Sequence, residues 1–486
     1  MNLCEADPVV GEFQLKTFWY RLQSLYKAKD FKMKLHVKAQ SPVFMTAVFL
    51  VFIAISSSAS ARTEKTSGIR ITIQVNRRII AEGQNVVVSA LAIRKRTLKP
   101  AANVYLFARV NGKKWGARYR TLSSGVAHLL LPLPEPGNNA ITVTNGIDSS
   151  RAVNVKVKSR RFDIVTDPKH LVIMEYETWF GPGYAQWGKE EAVPILGLYS
   201  SLNPWILRQQ NLWFDEMGIN AVELDWTNNL TSRFPNKTAR ECIAATNTLM
   251  KVYAHMAQHP KFVFLVGPEH NYWLSRKTPY RGPWYKAQIN YLYQHYISNK
   301  KYSGWYLKYE GKPLLLLYLN GPRSTRPPAI SSKRFTIRFV TAWLQTTHAE
   351  RYGAWSWYDQ KPTPTYHDGS VEALTITDGY PAVTPPAPGV NNWLSINAGG
   401  KNYGETYRSQ WRVAMKYKPR FLFINQWNEF EPPDQYDVNL SNDMEPTLIT
   451  RRGSRRPSGW GFFYLDMTKH MIRKYHQIIA GAMRDH

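Results

Sequence analysis

Apolar and polar positions follow two different rhythms along this chain. Between residues 67 and 158 they alternate in short runs: Ile69 to Val75, Asn85 to Ala92, Asn103 to Val110, Val126 to Leu131, Asn139 to Thr144 and Ala152 to Val157. A period of two buries one face of a strand and leaves the other in water. Turn formers such as Asn111-Gly112 and Pro136-Gly137-Asn138 separate the runs, which predicts a small all-β, immunoglobulin-like sandwich. It carries no grouping of acids, His or Cys. Its expected role is a spacer or packing partner, with glycan binding as the alternative.

After Lys158-Ser159-Arg160-Arg161 the rhythm changes, and from residue 165 to 486 apolar runs alternate with helical ones. Strands are expected at Leu171 to Glu175, Ala221 to Asp225, Phe262 to Val266, Leu314 to Leu319, Thr336 to Thr341, Gly353 to Trp357, Ala373 to Thr377 and Arg420 to Asn425. Helices are expected at Pro204 to Met217, Ala239 to Gln258, Trp284 to Ser298, Tyr403 to Lys416 and Phe462 to Ala480. Eight strands alternating with helices predict an α/β fold, a (β/α)8 TIM barrel. A doubly wound sheet is the alternative, but no Gly-rich phosphate turn follows any strand.

A third kind of stretch lies near the start. Pro42 to Ile55 is apolar, preceded by Lys34 and Lys38 and followed by Ala59-Ser60-Ala61. A basic head, an apolar middle too short for a comfortable span and an Ala-x-Ala site form the layout of a secretory signal. Residues 1 to 61 therefore read as a start-site extension, with Met33 as initiator, plus a signal peptide; a signal anchor is the competing reading. The expected location is secreted, periplasmic or in the cell envelope, with no membrane span after cleavage.

Charge adds a constraint on partners. The 486 residues carry a formal net charge of +28, and residues 1 to 61 account for only 3 of it, from seven Lys and Arg against four acids. The basic residues are scattered, and the one tight cluster, Arg451, Arg452, Arg455 and Arg456, accompanies no nucleic-acid motif. A solvated basic face is expected, with no nucleic-acid partner and with anionic glycan admitted as a ligand. Only Cys4 and Cys242 occur, which leaves no Cys-based zinc site, and neither a metal nor a cofactor is expected.

The chemistry gathers where the barrel strands end, the face on which such barrels build active sites. Trp179 follows the first strand, Asp225 and Trp226 the second, and Glu269 and His270 the third. Tyr318 closes the fourth, Trp355 lies in the sixth, and Asp378 and Tyr380 follow the seventh. The last strand leads into Asn425-Gln426-Trp427-Asn428-Glu429-Phe430-Glu431, followed later by Glu445. Continued strand geometry would put Asn425, Trp427, Glu429 and Glu431 on one side. Close carboxylates divide into an acid and a base when burial and repulsion raise one pKa, and indoles beside them suit a sugar ring. No Gly-x-Ser-x-Gly, His-Glu-x-x-His or phosphate-binding loop competes.

Tyr176-x-x-Trp179-Phe180-Gly181, Pro194 to Ser200, Met217 to Trp226, and Trp427-Asn428-Glu429 followed by Glu445-Pro446 together resemble glycoside hydrolase family 99 and its relatives around family 71. The resemblance implies a retaining endo-α-mannosidase-type enzyme in which one Glu deprotonates the sugar's 2-hydroxyl and a second Glu serves as acid, then base. Glu429 matches the first. The second falls on Pro432, so Glu431 is displaced by one residue; Glu431, Glu445 or Asp434 carries the acid role, or the chain binds without cleaving. The expectation is an exported glycosidase cleaving an α-linked glycan, with Glu429 and Glu431 catalytic and Trp179, Trp226 and Trp427 as stacking faces. A non-catalytic glycan-binding or envelope-assembly protein on the same fold is the alternative.

Overall fold

The computed structural model describes residues 68–181, 187, 192–230, 237–268, 283–319, 327, 331–342, 344–379, 400–430, 439, 441–448 and 459–482. The expected leader lies outside them. Ser67–His486 forms one compact unit. Among the described residues no helix is long and apolar enough to cross a membrane.

The first eight strands are β1 (Ile69–Val75), β2 (Ile79–Ala81), β3 (Asn85–Arg94), β4 (Tyr105–Val110), β5 (Lys113–Arg120), β6 (Val126–Pro132), β7 (Gly137–Thr144) and β8 (Val153–Lys158). They form a three-stranded sheet ordered β1-β3-β6 and a five-stranded sheet ordered β2-β8-β7-β4-β5. All ladders are antiparallel except the parallel β2-β8 pair. Alternate side chains of both sheets, including Val86, Val88, Leu129, Leu106, Ala108, Ile141 and Val143, are buried in one core.

The next ten strands are β9 (Leu171–Tyr176), β10 (Ala221–Leu230), β11 (Lys261–Pro268), β12 (Lys308–Tyr309), β13 (Lys312–Tyr318), β14 (Thr336–Thr341), β15 (Trp355–Ser356), β16 (Thr365–His367), β17 (Ser370–Ile376) and β18 (Phe421–Ile424). One path runs β15-β14-β13-β11-β10-β9-β18-β17-β16, and β12 adds to β13. The eight strands expected from the sequence pair parallel with one another, while the added β12 and β16 run antiparallel to β13 and β17. It curls into a nearly closed, TIM-barrel-like sheet. The two ends of the curl meet through side chains: Thr375 Oγ1 donates to the Ser356 carbonyl at 2.6 Å, and Trp355 Nε1 donates to Glu372 at 2.7 Å.

Helices α1 (Pro204–Met217), α2 (Lys237–Tyr253), α3 (Pro283–Leu292), α4 (Glu405–Tyr417) and α5 (Phe463–Ala482) alternate with the strands. The start and stop of α1 are written locally. Asn203 accepts from the Trp205 amide, Pro204 occupies the first turn, and Gly218 ends the helix at φ 92°. The same helix joins the two parts of the unit. Arg208 donates to the Glu82 carboxylate at 3.0 Å and to the Pro134 carbonyl at 2.9 Å. Beside it the turn at Gly197 lies against β5, where a Cβ would sit 2.8 Å from the Gly116 carbonyl oxygen.

Candidate active site

Which way each residue of β9 and β10 points follows from what its neighbours touch. Tyr176 donates to Gln210 of α1 at 2.5 Å, and Trp226 Nε1 donates to Thr246 of α2 at 3.3 Å. Those positions face the helices, so Glu175, Glu223 and Asp225 face the barrel interior. Parallel pairing then sets Glu223 beside Glu175. Oxygens of Glu175, Glu177 and Asp225 all lie within 4.8 Å of one another, and all three residues are buried.

Neither oxygen of Glu175 has a hydrogen-bond partner among the described residues. Burial lifts its pKa well above the usual carboxylate range, and the charges of Asp225, Glu223, Glu429 and Asp443 add to the lift. Burial, then Asp225, Glu175 and Glu429, push Glu177 up in the same way. Asp225 is lifted only to about 6, because hydrogen bonds from Thr227 and Glu177 offset part of the burial. Two carboxyls lifted well above the usual range thus lie beside one lifted only to about 6, an arrangement that favours the division of labour an acid and base pair needs. The three carboxylates also form a hard-oxygen set close enough to hold a cation.

Glu429 is half-buried beside this cluster. Gln426 Nε2 donates to Glu429 Oε2 at 2.5 Å. Asp443 accepts from the backbone amides of Glu429 and Phe430 and from Ser441 Oγ, which locks the loop. Asn428 is a second tie: it accepts from the Glu177 amide at 3.0 Å and donates to the Glu177 carbonyl at 3.1 Å and to Tyr199 Oη at 2.8 Å. The segments after β9 and β18 are thus held together by both arms of one amide.

The expected strand geometry beyond residue 424 is corrected. The strand ends at Ile424; beyond it the Trp427 amide still donates to the Glu175 carbonyl of β9 at 3.0 Å, while the amides of Gln426, Glu429 and Phe430 are tied to Asn442 and Asp443. Trp427 is fully buried, with its ring 4.9 Å from Phe214 and 6.0 Å from Trp213 of α1, so it offers no face to a sugar. Trp226 is likewise fully buried, against Phe264 and Tyr296. Trp355 lies inside the barrel against Phe421 and Phe423, bonded to the Glu372 that pairs with Arg338. The stacking or binding role expected of these three gives way to core packing.

The other expected residues fall in several places. Asp225 joins the carboxylate cluster. Glu445 is buried behind it, accepting from Tyr199 at 2.6 Å and Gln210 at 3.2 Å, and burial raises it to about 8. Asp378 pairs with Lys401, which also donates to the Asp443 carbonyl at 2.9 Å, so it braces the Glu429 loop from behind. Tyr318 is buried with its ring 5.5 Å from Trp357. Trp179 is 8% exposed and edge-on to Phe180. Glu431, Glu269, His270 and Tyr380 lie outside the described residues, as does Asp434.

Glu175, Glu177 and Trp187 were not among the expected site residues. The first two form a Glu-x-Glu at the end of the first barrel strand, a signal equal to the one weighed in Glu429-Phe430-Glu431. Trp187 stacks on Phe180 at 4.3 Å and lies 5.9 Å from Phe430, half-buried beside the loop that carries Glu429.

No protein-family model matches the chain, and no curated protein matches it. Among solved structures it is similar to a GH99 endo-alpha-mannosidase from Bacteroides thetaiotaomicron in complex with bis-tris-propane. Identity is 14%, the TM-score is 0.45, and the match covers 65% of this chain and 100% of that one. A glycoside hydrolase-like protein is similar at 12% identity and a TM-score of 0.42, covering 64% of this chain and 96% of that one.

Proposed function

We propose that the chain is a glycoside hydrolase that cleaves an internal linkage of an α-linked glycan. The observation that carries this reading is the convergence of three buried carboxyls, Glu175, Glu177 and Asp225, whose oxygens lie within 4.8 Å of one another at the C-terminal ends of parallel strands, with half-buried Glu429 next to them. Hydrolysis of an acetal needs a proton for the leaving oxygen and a base on the other side of the ring. Glu429 is the base, in the substrate-assisting role that the family 99 resemblance implies. The proton comes from Glu431, as the resemblance implies, or from Glu175, whose carboxyl, unpartnered among the described residues and lifted in pKa by burial, supports the role. Trp187 and Trp179 supply the aromatic edge. The Ala59-Ser60-Ala61 pattern after an apolar run supports export.

Incubation with α-mannan and other α-linked glycans tests the reading, with new reducing ends scored separately from retention in an affinity gel. Release of oligosaccharides is expected from the wild type. Glu431→Gln and Glu175→Gln then separate the two donors, since only loss of the true donor removes turnover on substrates with poor leaving groups. Retention without new reducing ends would assign the barrel to glycan binding instead.

A further inference from the structure

The five-stranded sheet has one face in the core and one in water. On the water face β4 presents Tyr105, Phe107 and Arg109, β5 presents Lys114, Arg118 and Arg120, and β8 presents Lys156 and Lys158. The six cations are exposed and make no ion pair among the described residues. Residues 68 to 158 hold fifteen Lys and Arg against three acids, and none of the acids lies in a strand. All three are engaged elsewhere: Glu82 with Arg208 at 3.0 Å, Glu135 with Arg208 at 3.9 Å and Asp148 with Lys95 at 3.1 Å. The face has no counter-charge of its own.

Aromatic rings set the cations in order. Arg120 lies 5.8 Å from the centre of Tyr105, while Arg109 and Lys114 lie 5.9 Å and 5.6 Å from the centre of Phe107. The register places Arg120 opposite Tyr105 and Lys114 opposite Arg109, so the positive groups form a row along two neighbouring strands. Crowding shows in Lys114, whose pKa is lowered by burial and by Arg118. Holding like charges this close costs stability in the free protein, and a polyanion laid across them relieves it.

We propose that the outer face of the β2-β8-β7-β4-β5 sheet binds a linear, carboxylate-bearing polysaccharide. The cations meet its carboxylates, and Tyr105, 59% exposed, offers a ring for pyranose C–H groups. Choosing a polysaccharide among polyanions rests on the carbohydrate reading of the barrel. Binding is scored without hydrolysis, so the two readings fail separately.

The test uses the full chain and polygalacturonate as probe, in affinity electrophoresis and calorimetry at low and high salt. One variant carries Arg109→Ser, Lys114→Ser, Arg118→Ser and Arg120→Ser. A control carries Arg412→Ser, Lys416→Ser, Arg473→Ser and Lys474→Ser, removing the same charge from exposed positions of α4 and α5. The sheet variant is expected to lose at least about tenfold in affinity and the control less than about threefold, with a shallower salt dependence in the sheet variant. Lys156→Ser with Lys158→Ser provides a second, independent reduction. Equal losses in the sheet and control variants would overturn the proposal, as would no binding of polygalacturonate, or tighter binding of single-stranded DNA that the sheet variant leaves unchanged.

Discussion

Replacing Asp225 by Asn removes one charge from the barrel mouth while keeping the side chain's size and an acceptor for the Thr227 amide. Burial lifts this carboxyl from 3.8 to about 6, and a shift of about two units corresponds to about 3 kcal/mol. The folded state holds the proton more tightly than the unfolded chain. The group's contribution to stability is therefore complete below about pH 4 and is lost as pH rises through about 6. Urea unfolding of wild type and Asp225→Asn at about pH 4, 6 and 8 reads this directly. Relative to wild type, the variant should gain up to about 3 kcal/mol between the lowest and highest pH, and Glu175 and Glu177 relax in the same direction because a neighbouring charge is gone. A difference that stays constant with pH, or that turns against the variant at pH 8, would refute the idea that these acids are held together at a cost to stability.

Arg208→Met should destabilise the protein by about 3–5 kcal/mol in the same denaturant assay, because it strands Glu82 in the interface between the β sheets and the barrel. Glu82→Gln, which keeps an acceptor for Arg208, should cost less. Tyr199→Phe should lower kcat about tenfold or more while costing only about 1–3 kcal/mol of stability, since it removes the hydroxyl that links Asn428 to Glu445. An unchanged kcat would mean that the Tyr199 network does not position the Glu429 loop.

Where local chemistry and long-range packing agree, the sequence was legible. The bounds of α1 follow from Asn203-Pro204 and Gly218, and β14 runs from Thr336 to Thr341 as its pattern indicates. β5 was hidden because Lys113 to Arg120 reads as a basic loop; its buried Trp115 pairs with Ala108 across a bulge that breaks the alternation. The sixth strand is shorter than its apolar run, only Trp355–Ser356, because the barrel stays open there apart from side-chain bonds. In the site, Glu429 was visible as an acid just past the last barrel strand, but neither the turn of its loop nor the fate of the indoles was. An indole just past a strand can turn toward the helix layer or toward the mouth, and only the packing of Trp213, Phe214, Phe264 and Tyr296 decides it. Glu175 and Glu177 were visible as residues, but their closeness to Asp225 depends on the strand register.

The most direct measurement compares Glu429→Gln with wild type on an α-linked glycan that the wild type cleaves, scoring turnover and binding in parallel. Turnover should fall by about a thousandfold, within the range that loss of a positioned base produces, while glycan retention persists. A Glu429→Gln protein that cleaves at the wild-type rate would contradict the account.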